Sequence, residues 1–190
     1  MSKSRPSWNE YFMLLAKIVS TRSTCNSRPI GAVLVKQNQI LATGYAGAMP
    51  GVEHCTDQPN LADGSPFCFR RVCGVADVDK YNFCRSTHAE ANAIAQAARN
   101  GTSIEGATLY VTLAPCYVCL KLIATAKIKA VYYEHPYDSS TPERDQFWMN
   151  AIRDAGLETY EQLVISPETY DFCLSDIRSP TSRRRMHSTA

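Results

Sequence analysis

The chain has 190 residues, of which 45% are hydrophobic and 20% charged, with a formal net charge of +2. That length suits one domain with a substantial core, and the near-neutral balance excludes a large basic surface for nucleic acid. Residues 1–9 lack the apolar core of a signal peptide and no run approaches the length of a membrane span, so the chain reads as cytoplasmic. Its 8 cysteines are then expected to stay reduced, as metal ligands or buried small side chains rather than disulfides.

Ser7 stands ready to cap a helix in which Tyr11, Phe12, Leu14, Leu15, Ile18 and Val19 recur at helical spacing, ending near Ser20. Residues 30–35 and 39–44 are short apolar runs separated by Lys36-Gln37-Asn38, which predicts two strands joined by a tight hairpin. From 45 to 86 the periodicity is lost, and Gly47, Pro50, Gly51, Pro59, Gly64, Pro66 and Gly74 punctuate the segment. A structureless insertion this long needs staples in a compact domain, and Cys55, Cys68, Cys73 and Cys84 are the available ones.

Regular order returns with a predicted helix over 88–99, stopped by Asn100-Gly101, and a strand over 107–112. Pro115 sits where a helix start tolerates proline, and 117–126 continues as helix. A strand over 129–134, a helix over 142–155 and a last strand within 156–164 follow. Strands alternating with helices predict an α/β sheet covered on both faces. Residues 1–174 read as one domain. Residues 175–190 read as a disordered basic tail carrying Arg178, Arg183, Arg184 and Arg185, with a phosphate or nucleic-acid contact as the alternative.

The chemistry concentrates in Thr87-His88-Ala89-Glu90 and Pro115-Cys116-Tyr117-Val118-Cys119. Two cysteines three apart share a helix face, and a helix start favours their thiolate forms. With His88 at the start of another helix, three zinc ligands converge and a fourth position is left for water, the arrangement of a catalytic rather than a structural metal. Glu90 is the candidate proton shuttle. Taken singly, His88 is a helix cap, Glu90 a first-turn acid, and the cysteines a redox pair or half of a structural zinc site. Their combination is the signature of zinc-dependent deaminases.

Around that signature the sequence resembles the deoxycytidylate (dCMP) deaminase family of the cytidine deaminase-like superfamily. The similarity runs in order through residues 21–25, 30–33, 42–45, 84–90 and 106–112, and covers about Arg22 to about Tyr137. The resemblance implies an α/β/α sandwich with a five-stranded mixed sheet and hydrolysis of dCMP to dUMP and ammonia. It also implies a homo-hexamer activated by dCTP with Mg2+ and inhibited by dTTP. For substrate it points to Arg22 at the 5′-phosphate, Tyr137 over the pyrimidine, and Ala89 and Ala46 in the nucleotide site. For an effector it points to Arg99, Tyr45 and Gly47.

One departure stands out. Family members carry Gly-Tyr-Asn-Gly-x-Pro-x-Gly after the second strand, where this chain reads Gly44-Tyr45-Ala46-Gly47-Ala48-Met49-Pro50-Gly51. Ala46 offers neither the donors nor the acceptor of an amide. Weakened triphosphate regulation, or tolerance of a modified cytosine, is the corresponding expectation.

Several relatives of this family hold a second, structural zinc. The matching residues here are Cys25, Cys55 and Cys84, with Cys68 as fourth ligand and Cys73 or His54 as alternatives. Such a site would tie the insertion to the first strand and the catalytic helix. Two competing functions remain: a deaminase acting on bases within RNA or DNA, supported by the Arg183 to Arg185 cluster, and a non-catalytic zinc-binding regulator on the same fold.

Overall fold

The computed structural model describes residues 5–76, 79–137 and 142–178. Helix α1 (Trp8–Ser20) starts at a capping box: the Ser7 hydroxyl accepts the Glu10 N–H at 3.3 Å and the Glu10 carboxylate accepts the Ser7 N–H at 2.8 Å. Strands β1 (Gly31–Lys36) and β2 (Gln39–Tyr45) form the expected hairpin. Gln37 and Asn38 supply its turn at φ 52° and 59°, the left-handed pair that matches strand twist.

The 45–86 insertion contains the short elements β3 (Gly47–Ala48), α2 (Phe69–Val72) and α3 (Lys80–Phe83), and β4 (Ser86–Thr87) follows at its end. Strands β3 and β4 pair antiparallel, Gly47 with Thr87 and Ala48 with Ser86, so a backbone ladder closes the two ends of the insertion. Sequence reasoning had only the cysteines for that task, because two-residue strands carry no periodicity.

Helix α4 (Ala89–Arg99), β5 (Thr108–Leu113), α5 (Tyr117–Thr125), β6 (Ala130–His135), α6 (Pro142–Asp154) and β7 (Thr159–Gln162) complete the alternation. The main sheet has five strands in the order β2-β1-β5-β6-β7. It is mixed, since β1 runs antiparallel to β2 and β5 while β5, β6 and β7 are parallel. The pleat sends Ala32 and Leu34 of β1 into a core shared with Ala89, Ala93 and Ala97 of α4. Val33 and Val35 point the other way, against Phe12, Met13 and Ala16 of α1. Helices therefore cover both faces.

A helix absent from the sequence reading, α7 (Pro167–Arg178), packs Tyr170 into the α1 side. The Ser166 hydroxyl accepts the Thr169 N–H at 3.2 Å, a cap that looks like loop composition in sequence. Residues 175–178 are thus helical rather than part of a disordered tail, which corrects that boundary. Arg183, Arg184 and Arg185 lie outside the described residues. Among those described, no helix is long and apolar enough to cross a membrane.

Candidate active site

Two helix starts meet beyond the carboxyl end of β5. His88 is the N-cap of α4 and Cys116 the N-cap of α5, both with extended backbone, so each side chain projects ahead of its helix. Cys119 is the third residue of α5 and shares the Cys116 face. Helix α4 reaches this position because β2 presents no side chain at Gly44, where a Cβ would lie 2.1 Å from the Ala89 carbonyl oxygen.

The His88 Nδ1 atom stands 3.5 Å from Cys116 Sγ and 3.4 Å from Cys119 Sγ, and all three ligand atoms lie within 4.8 Å of one another. A tetrahedral zinc with Zn–S of about 2.3 Å and Zn–N of about 2.05 Å separates sulfur from nitrogen by about 3.5 Å. Both His88–cysteine separations match that metal.

Glu90 sits beside them in the first turn of α4. It is 3% exposed, and its Oε2 has no hydrogen-bond partner among the described residues. Burial pushes its carboxyl up to about 7, against the opposing pull of its own backbone N–H and of His88. The hydrogen bond to Cys116 raises His88. Between the sulfurs the shifts are opposite: Cys116 is drawn down by the hydrogen bond from Cys119, while Cys119 is pushed up by the same bond and then by burial. One proton held between two thiols accounts for both directions.

These residues form the floor of a cavity of about 450 Å³, with His88, Glu90 and Cys116 in its lining. Its wall includes Tyr137 and Tyr81, whose hydroxyls share a hydrogen bond of 3.0 Å. The Tyr81 ring meets the His88 ring edge-on at 5.4 Å. Cys25, Cys55, Cys68 and Cys84 also face this cavity. Burial pushes the Cys84 thiol up, and the charges of Cys25, Cys68 and Cys55 add to the effect, so the four sulfurs are electrostatic neighbours. Cys73 is exposed and lines no part of the cavity. His54, also outside the lining, has a buried Nδ1 without a partner among the described residues.

The remaining sequence candidates divide. Ala46 lines the cavity, buried, with its carbonyl accepting from Ser23 Oγ at 2.6 Å and Thr24 N at 3.1 Å. Ala89 is wholly buried in the core, with no part in the lining. Arg22 is exposed and likewise absent from the lining. Tyr45 is on the surface, its carbonyl accepting from Asn92 Nδ2 at 2.8 Å, and Gly47 is occupied with the β3–β4 ladder. Arg99 is exposed at the far end of α4, about 16 Å along the helix from the metal ligands. The cavity instead receives Arg28, Arg71 and Tyr81, none of which the sequence reading singled out. For Arg28 a signal existed, since Asn26-Ser27-Arg28-Pro29 leads straight into β1; the two insertion residues carried none.

A mixed sheet of this order, with metal-ligating side chains at two adjacent helix starts, puts the molecule in the cytidine deaminase-like fold class. The family model for the cytidine and deoxycytidylate deaminase zinc-binding region matches residues 6–135. The deoxycytidylate deaminase of Mycobacterium phage D29 is 41% identical over 131 residues, covering 68% of this chain and 96% of that one. ComE operon protein 2 of Bacillus subtilis is 34% identical over 160 residues, covering 84% of this chain and 76% of the relative. Among solved structures, dCMP deaminase from the cyanophage S-TIM5 in complex with dCMP and dUMP superposes with a TM-score of 0.59 at 30% identity, over 83% of this chain and 98% of that one. The chain belongs to the cytidine and deoxycytidylate deaminase family, and among its described residues His88, Cys116 and Cys119 form a group that could hold a metal ion.

Proposed function

We propose that the protein is a cytoplasmic zinc-dependent dCMP deaminase that hydrolyses dCMP to dUMP and ammonia. The observation that carries this reading is Glu90: a buried carboxylate with one unpartnered oxygen, two residues from His88 and beside the Cys116 and Cys119 sulfurs, on a cavity floor. The relatives named deoxycytidylate deaminase, and the structural neighbour holding dCMP and dUMP, support the nucleotide.

His88, Cys116 and Cys119 would hold the metal. Zinc, when bound, supplies Lewis-acid activation, lowering the pKa of a water from about 15.7 toward about 7. Glu90 accepts the proton released by that water and delivers it to the pyrimidine N3 next to the carbon being substituted. It would then take the remaining proton of the added hydroxyl and give it to the amino group, so that the C4–N bond breaks, ammonia leaves and the C4 carbonyl of dUMP forms. Tyr137 and Tyr81 present aromatic surface for the base, and the cavity walls limit competing water.

Residues 1–174 with the adjoining last turns of α7 serve as a single catalytic domain in this reading. For Cys25, Cys55, Cys68 and Cys84 we infer a second, structural zinc from their shared place on the cavity lining, although among the described residues only the His88, Cys116 and Cys119 ligand atoms already gather within 4.8 Å of one another. The enzyme assembles as a homo-hexamer. Because Ala46 replaces the amide-bearing residue of the family, regulation by dCTP with Mg2+ and by dTTP is weakened or absent. Tyr45, Gly47 and Arg99 would be the residues nearest to any surviving effector site. Strong sigmoidal activation on titrating dCTP would reject that point.

The decisive experiment offers dCMP, dCTP, deoxycytidine and a cytosine-containing single-stranded oligonucleotide to the purified protein and identifies products. Conversion of dCMP to dUMP in preference to the others supports the reading. Deamination of the oligonucleotide instead would replace it with a nucleic-acid function, and no product from any substrate would point to a regulator.

A further inference from the structure

The His88 ring has a neighbour besides the two sulfurs. Tyr81, from α3 of the insertion, meets it edge-on at 5.4 Å with the ring planes at 81° less 17°, that is 64°, and the Tyr81 hydroxyl is 3.0 Å from that of Tyr137, two residues past the end of β6. His88, Cys116, Tyr81 and Tyr137 all line the same cavity, and the Cys116 sulfur is a further hydrogen-bond partner of the Tyr81 side chain. Tyr81 therefore stands between a metal ligand and an aromatic residue of the cavity wall. It is 42% exposed, so apolar burial contributes little and these directed contacts decide its place.

A phenol has one proton to give and lone pairs with which to accept. A thiolate bound to a metal can only accept, so the Tyr81 proton goes to Cys116, and the other contact must run from the Tyr137 O–H to the Tyr81 oxygen. Tyr81 keeps that proton: burial pushes its hydroxyl up, followed by the hydrogen bond to Tyr137 and the charge of Cys116. A donor at a ligating sulfur draws electron density from it and fixes its orientation, as outer partners of metal ligands do. The far end of the chain holds Tyr137, whose ring centroid is also 5.7 Å from the Arg28 guanidinium.

We propose that Tyr81 is a positioning residue for the deamination, giving its proton to the Cys116 thiolate and accepting that of Tyr137, so that the insertion ties the aromatic wall to the metal site. This role rests on the zinc-deaminase reading of the site.

The test uses Y81F, Y81L, Y137F and Y81F/Y137F, each checked for zinc content and melting temperature, with H88A as reference. In cobalt-substituted protein, the sulfur-to-cobalt charge-transfer band that H88A abolishes should move to lower energy in Y81F, because the sulfur has lost its donor. The same shift is expected in Y81L, which also removes the ring, and none in Y137F. Y81F should keep its zinc while kcat/KM for dCMP falls by about tenfold. The double variant should lose no more than Y81F alone, since both substitutions break one chain. A Y81F band at the wild-type energy, an equal shift in Y137F, or additive losses would each overturn the proposal. A wild-type protein without an H88A-sensitive band fails the zinc reading and this role together; a band that Y81F leaves in place, with dCMP still deaminated, fails this role alone.

Discussion

A Cβ built on Gly44 would lie 2.1 Å from the Ala89 carbonyl oxygen and 2.4 Å from the Ala93 amide nitrogen. Strand β2 and the first turn of α4 are in contact backbone to backbone, and that turn carries Glu90 two residues after the His88 cap. Replacing Gly44 with Ala must push α4 outward and disturb the spacing of His88 from Cys116 and Cys119. The expected destabilisation is about 1–3 kcal/mol, with weaker zinc retention. Denaturant unfolding and metal analysis of G44A check both; an unchanged zinc content after dialysis would show that the contact does not set the triad.

Replacing Glu90 with Gln keeps the shape of the buried side chain and removes its capacity to carry a proton. Zinc should remain bound at wild-type stoichiometry while kcat falls by about 10²- to 10⁴-fold. Steady-state kinetics beside metal analysis separates this outcome from a simple loss of the metal, which H88A should show.

The metal count distinguishes the two clusters of cysteines. A well-folded preparation should contain two zinc ions per chain, one at His88, Cys116 and Cys119 and one at the cluster of Cys25, Cys55, Cys68 and Cys84. C55S should lose one of them and lower the melting temperature while sparing the other. A wild-type stoichiometry of one would reject the second site.

Lys17 of α1 and the buried Glu134 of β6 form an ion pair that links helix to sheet, with Lys17 also 5.0 Å from the Tyr170 ring of α7. Replacing Lys17 with Met leaves the buried carboxylate with only His135 Nε2, at 3.5 Å, and should cost about 2–3 kcal/mol, less than a wholly buried pair because the Lys17 side chain is 26% exposed. The double variant K17M/E134L should recover much of that loss. Urea unfolding of the single and double variants measures the coupling.

The α1 capping box should be visible as a pH effect. The Ser7 backbone N–H, then the Ser7 hydroxyl, hold the Glu10 carboxyl below its ordinary 4.5. Its contribution to stability is therefore complete above that value and is lost as pH falls through the lower folded-state value. Comparing E10Q with wild type from neutral pH down to about pH 3 should show a stability gap that closes in acid; a constant gap would deny the linkage.

What was legible in the sequence was what periodicity and short-range chemistry encode. The capped helix from Ser7, the β1–β2 hairpin and the alternating elements after His88 follow from patterns spanning a few residues. So does the ligand set His88, Cys116 and Cys119, because each half of it lies within one helix start. The helix α7 was not legible, since its start at Ser166-Pro167 resembles a loop and its pairing surface belongs to α1, far away in sequence. The β3–β4 ladder was hidden for the same reason.

The cavity wall was decided only by the folded chain. Nothing in the spacing of Arg28, Arg71 and Tyr81 relates them to His88, because the insertion that carries two of them has no period and returns through the pairing of Gly47 with Thr87 and of Ala48 with Ser86, far apart in sequence. Tertiary packing likewise put Arg22 and Arg99 outside the cavity and Ala89 in the core. By itself the sequence singled out the candidate reacting centre, since metal ligands and a proton carrier need particular residue types at short, rigid separations. Only the tertiary structure decided which side chains surround a bound molecule, since that depends on surfaces contributed by segments with no local constraint on one another.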